Sequence, residues 1–115
     1  MKLVHTNSLP NIETSHKGVT KKSILQNDYV PKLTGFSRVE LSQGQEIETH
    51  THKTMYEIYY VILGKIKVVI NNKEYICEKG DSFTVEPGEN HFLKNEFSDK
   101  VELVYFGIAI EKLDK

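Results

Sequence analysis

Among the five histidines of this chain, His50 and His52 are separated by a single residue. A β-strand alternates its side chains between two faces, so in an extended segment both imidazoles project the same way. Glu57 follows five positions after His52, and His91 lies just beyond a Pro87-Gly88-Glu89-Asn90 turn sequence. Imidazole nitrogens and carboxylate oxygens are the donors that first-row divalent ions accept, at about 2.0–2.2 Å. His50, His52 and Glu57 therefore offer three corners of a metal site, and His91 is the fourth candidate. A His-x-His pair alone arises by chance on many surface strands. Glu57 is the second anomaly, because it opens the otherwise apolar run Glu57–Leu63. An inward carboxylate there is costly unless a cation or hydrogen-bond donors compensate it.

The odd offset from His52 to Glu57 cannot be simple alternation. Residues Lys53 to Tyr56 must turn, so that Glu57 begins a neighbouring strand. All four candidates then sit at strand ends or starts, on a common open rim. The surrounding elements read as short strands broken by turn residues. Val19–Gln26 forms one, Asn27-Asp28 a turn, Pro31 a restart, and Thr34–Gln43 another strand closed by Gly44. Alternation in that last strand puts Val39 and Leu41 inward and Arg38, the only arginine, on the outer face. An inward Arg38 would instead be a bidentate anchor for an acidic ligand. Both phases of Glu57–Leu63 are apolar after Glu57, which calls for cover on both faces: the core on one, a second sheet layer or a partner subunit on the other, and so a homodimer is expected.

Ile66, Val68 and Ile70 alternate up to Asn71-Asn72, a pair that tolerates the positive φ of a two-residue hairpin loop. The resulting register pairs Ile66 with Cys77, Val68 with Tyr75 and Ile70 with Lys73, and sets Lys65 against Glu78. Apolar groups gather on one face and a charge pair on the other. Cys77 thus reads as a small core residue. Gly80-Asp81 makes a turn, and further strands cover Ser82–Val85, His91–Asn95 and Val101–Ile110. No segment holds helical periodicity. The fold class is all-β, a sandwich or barrel.

With 115 residues the chain builds one ordinary core. A net charge of −1 leaves no basic footprint for nucleic acid or for an anionic membrane surface. No apolar run reaches spanning length, and no secretory signal is expected at Met1–Asn7. The single Cys77 forbids an intrachain disulfide and fits a reducing, cytoplasmic setting. Residues 1–17 read as an arm with room for one strand, and residues 18–115 as the barrel. His5 and His16, in the arm, read as surface histidines.

Two longer patterns can now be named. Gly44, five residues, His50-x-His52, four residues, Glu57, six residues and Gly64 match the first signature of the cupin family. Gly80, Gly88, His91 and Asn95 fall at the spacings of the second. The departure is Glu86 where the family usually carries proline, with Pro87 displaced by one. The resemblance implies a small double-stranded β-helix, a jelly-roll-like cupin barrel of two packed antiparallel sheets. It implies one divalent transition metal ion (Fe, Mn, Ni, Zn or Cu) held by His50, His52, Glu57 and His91, and often a dimer. Family members include dioxygenases, isomerases and lyases, alongside binding modules without turnover, so the motifs define a site and not a reaction.

Tyr59 shares the phase of Glu57 and is the candidate catalytic acid/base. Its alternative role is a core aromatic whose hydroxyl bonds locally. Tyr75 is a weaker candidate of the same kind. Met55 and Tyr56 are expected in the turn between ligands, shaping the entrance, and Phe83 and Phe92 in packing. A metal-dependent enzyme acting on a small organic molecule and a non-catalytic metal-containing binding or sensor module both follow. The complete ligand set argues against a purely structural barrel. With one outward arginine, a neutral or metal-anchored ligand is favoured over an acidic one.

Overall fold

The computed structural model describes residues 1–110; the last five positions of the predicted barrel segment lie outside the described residues. A 3₁₀ turn at Thr6–Ser8 precedes ten strands. These are β1 (Ile12–Glu13), β2 (Thr20–Leu25), β3 (Leu33–Ser42), β4 (Glu46–Thr51), β5 (Met55–Leu63), β6 (Lys65–Ile70), β7 (Lys73–Glu78), β8 (Ser82–Val85), β9 (Asn90–Lys94) and β10 (Lys100–Ala109). They form a six-stranded sheet in the order β1-β2-β3-β10-β5-β8 and a four-stranded sheet in the order β4-β9-β6-β7. Every pairing is antiparallel. This is the two-sheet barrel expected from the sequence.

The inner faces follow period 2. Val39 and Leu41 on β3, Val61 on β5, and Val101 and Leu103 on β10 meet Ile66 and Val68 on β6 and Leu93 on β9, all at 2% exposure or less. The β6–β7 hairpin keeps the expected register, with Ile66 opposite Cys77, Val68 opposite Tyr75 and Lys65 opposite Glu78. Asn71 and Asn72 adopt φ of 48° and 70°, as the two-residue loop requires. Cys77 packs against the core but remains half-buried.

One expectation needs correction. Met55 and Tyr56 do not lie in a turn; they are the first residues of β5, and Glu57 is its third. Only Lys53 and Thr54 bend the chain between ligands. Among the described residues no second sheet layer covers the outer face of β5. Its outward Tyr60 is 47% exposed, and Ile58 and Ile62 are only partly buried.

Candidate metal centre

β4 delivers the first ligand through a local irregularity. Ile47 stands opposite Leu93 and His50 opposite His91, so three steps on β4 match two on β9. Such a bulge gives the strand an extra residue, and Ile47 and His50 both face inward despite their odd spacing. His52 follows just past the end of β4 and points into the same space, its ring 4.7 Å from that of His50. The His91 ring, opposite on β9, is 4.0 Å from the His50 ring. Glu57 comes from the other sheet, between Val85 of β8 and Gly107 of β10.

One ligand atom from each of His50, His52, Glu57 and His91 lies within 4.8 Å of all the others. Donors bound to one ion at about 2.1 Å stand at most about 4.2 Å apart, so the widest pair needs to close by roughly half an ångström. Two imidazoles are already oriented. His50 Nδ1 is 2.8 Å from the Glu48 carbonyl oxygen and His91 Nδ1 is 3.2 Å from that of Glu89. Donating Nδ1–H to a carbonyl leaves the Nε2 lone pair free, the usual support around metal-bound histidine. His91 is fully buried, and its Nε2 has no hydrogen-bond partner. It lies 3.3 Å from Glu57 Oε1 without the alignment of a directed hydrogen bond. A buried nitrogen left unpaired is costly, and an ion would satisfy it. The donor set fits a divalent transition metal.

Burial lowers the His50 pKa below its ordinary 6.5, outweighing the carbonyl bond to Glu48, so the ring favours the neutral form that binds metal. For Glu57 burial pushes the other way. The approach of His91, the Tyr59 hydrogen bond and the charge of His52 together overcome it and hold the carboxyl below its usual range. Tyr59 is 3% exposed and donates its hydroxyl to Glu57 Oε1 at 2.8 Å. Its ring stacks between Phe83 and Tyr105, at 4.7 and 5.3 Å. Burial, reinforced by Glu57, raises the phenol pKa well above 10.0, so Tyr59 retains its proton.

His16 does not fit the surface reading. Its ring lies 4.9 Å from that of His50, and it lines the same cavity as His52 and Glu57. The arm therefore walls the site. The Thr14–Gly18 connection is tied by Thr14 Oγ1, which accepts from the His16 amide and donates to the Val19 carbonyl, and by Gln45 Nε2, which donates to the Gly18 carbonyl. His5 is exposed, as expected. Arg38 keeps its outward place and pairs with Glu102, whose carboxyl it lowers through that hydrogen bond against the effect of burial. Tyr75 is 43% exposed on β7, away from the cavity. The shifted proline leaves the second motif's turn intact: Glu89 N–H donates to the Glu86 carbonyl around Pro87-Gly88, and Gly88 takes φ of 90°. Gly88 N–H donates to the His52 carbonyl, so this turn also steadies a ligand.

Fold and donor cluster together define a small β-barrel with a metal-type site between its sheets. The cupin domain model matches residues 37–107, and the chain belongs to the cupin family. Among characterised relatives, an oxalate-binding protein of Thermotoga maritima is 30% identical over 69 residues, spanning 60% of this chain and 57% of the relative. The match thus spans little more than half of that relative's length. The chain is also similar in structure to a predicted oxalate decarboxylase from Thermotoga maritima, with a TM-score of 0.88 and 23% identity, covering 95% of this chain and 100% of the other. The cupin domain of Schizosaccharomyces pombe Cnp3 gives 0.79 at 21% identity, covering 90% and 71%. At these identities the structural likenesses bear on the fold.

Proposed function

We propose that His50, His52, Glu57 and His91 bind one divalent transition metal ion (Fe, Mn, Ni, Zn or Cu), and that the chain is a metal-dependent enzyme acting on a small organic molecule in the barrel. The observation that carries this reading is the buried, unpartnered His91 Nε2 inside a converging four-donor set. A bound ion would polarise an oxygen of the ligand and, if redox-active, exchange electrons with it. The chain's own contribution is orientation. Carbonyls of Glu48 and Glu89 hold two imidazoles, Tyr59 holds Glu57, and the apolar floor excludes water. The oxalate-binding relative supports a small oxygen-rich acid as the ligand. Reaction types in scope are oxidation by dioxygen, isomerisation and lyase chemistry. The test is oxygen uptake and product analysis with Fe(II)-loaded protein across enols, diketones and small acids. Absence of turnover with any metal would leave only the second reading.

That second reading is a non-catalytic binding or sensor module. It is favoured by Tyr59, the sole tyrosine bonded to a ligand residue, whose hydroxyl is already committed to Glu57. In both readings Tyr59 is a positioning residue. Tyr59→Phe keeps the ring packing and removes one hydrogen bond, so metal affinity is expected to fall about 10- to 100-fold with little change in melting temperature. Unchanged affinity in a metal competition titration would remove Tyr59 from the site's support.

A homodimer is the third element of the proposal. Phe36, Ile58, Tyr60, Val104 and Phe106 stand on the outer face of the six-stranded sheet, with Phe36 and Phe106 edge to face at 6.2 Å. A contiguous apolar face of this kind suits a second subunit. Light scattering is expected to give twice the chain mass, and Tyr60→Glu to return it to one. A monomeric wild type would refute it.

A further inference from the structure

Among the described residues, Lys21 is the lysine that lines the metal-side cavity of the barrel. On β2, Lys21 stands opposite the core residue Val39, whereas its neighbour Lys22 stands opposite outward-facing Arg38 and donates to the Leu9 carbonyl. Lys21 lines the cavity of about 300 Å³ that contains His50, His52, Glu57 and Tyr59. It is half-buried, and no carboxylate among the described residues pairs with it; Glu13 lines the same cavity without reaching it. Above it runs the Thr14–Gly18 connection, held by the Thr14 and Gln45 bonds, with His16 closing the side towards His50. A cation without a partner on the inner face of a barrel has a cost in lost hydration that an anion from solution would offset.

We propose that Lys21 is a specificity-determining residue that receives a carboxylate of the ligand, and that the ligand is a small dicarboxylic acid. One end of the acid would occupy the metal centre and the remote carboxylate would meet Lys21 Nζ. The cavity volume admits an acid of a few carbons, and the clamped loop bars longer chains on that side. Of the neutral or metal-anchored ligand expected when only Arg38 was counted as a cation, this keeps the metal anchor and adds a charged contact at Lys21. The inference rests on the metal-binding reading above.

The experiment compares malate with lactate, which share a metal-chelating hydroxy-acid end but differ in the remote carboxylate. Calorimetric titrations use Mn(II)-loaded wild type, Lys21→Met and Lys21→Arg, with metal content measured on each sample. Wild type is expected to bind malate at least about tenfold more tightly than lactate, the scale of one charge-assisted hydrogen bond. Lys21→Met should erase that preference by weakening malate alone, and Lys21→Arg should retain most of it. Metal content should be equal in all three proteins. If metal is bound but Lys21→Met leaves the malate-to-lactate ratio unchanged, or if the wild type shows no preference, the inference is overturned while the metal reading stands. If the wild type takes up no metal, the metal reading falls and the inference with it.

Discussion

Alanine at position 91 is expected to leave a folded barrel whose metal affinity is lower by about a hundredfold or more. Structural zinc sites with four protein ligands are worth about 10–16 kcal/mol, or roughly 3 kcal/mol per ligand, so one lost ligand weakens binding about a hundredfold or more. The fold survives because His91 contributes little to apolar packing. Its Nε2 makes no hydrogen bond, and its strand is held by backbone pairing to β4 and β6 and by buried Leu93. The truncation leaves a cavity but also removes a buried nitrogen without a partner, and these effects oppose one another. A metal competition titration, beside circular dichroism and a thermal melt, separates the two outcomes. Unchanged metal affinity of His91→Ala in that titration, with the spectrum of a β protein, would show that His91 is not a ligand. His50→Ala should behave in the same way, although with a smaller cavity penalty because His50 is only half-buried.

The second large effect is acid release. A metal-bound imidazole must be neutral, so each proton that competes for one lowers the apparent metal affinity by up to about tenfold per pH unit. His50 is held below 6.5 by burial, so it resists protonation further into acid than a free imidazole. Glu57 is held below its ordinary 4.5 and stays ionised through this window. Release should therefore follow protonation of His50, below the ordinary imidazole range, and not protonation of the carboxylate. The metal-free protein follows the same sign. Below 6.5 the unfolded chain binds a proton at His50 that the folded chain disfavours, so stability present at neutral pH is lost as pH falls from 6.5 through the lower folded value. Dialysis of metal-loaded protein from about pH 8 to about pH 5, with melts of the metal-free form over the same range, measures both. A metal affinity that does not fall over this range, measured by competition titration, would contradict competition by imidazole protons.

Much of this site was readable in the chain, and the parts that were not have physical causes. The β6–β7 register followed from side-chain chemistry, because only one alignment pairs Ile66 with Cys77 and Lys65 with Glu78. Arg38 was placed by alternation alone. The ligand pair His50 and His52 was found by period 2, yet the bulge that brings Ile47 to the same side as His50 leaves no local mark in the sequence. His16 was misread because its nearness to His50 is created by the fold, through a loop fastened by Gln45. Lys21 was missed for a simpler reason. Val19–Gln26 was recognised as a strand, but its phase was not assigned, and Val19 at 2% exposure is the residue that fixes it. The outer apolar face of β5 was legible as composition, because both phases of the strand are apolar after Glu57.

The origin of the four donors has one more consequence. His50 and His91 belong to the four-stranded sheet and His52 follows directly from it, while Glu57 belongs to the six-stranded sheet. An ion bound between them would be a fastener across the seam, at the end of the sandwich where polar side chains replace the apolar core. Its removal should loosen the two layers relative to each other and leave each layer's own ladder intact. Amide hydrogen exchange would then quicken in β4 and at the start of β5 on chelation, while the β6–β7 hairpin keeps its protection.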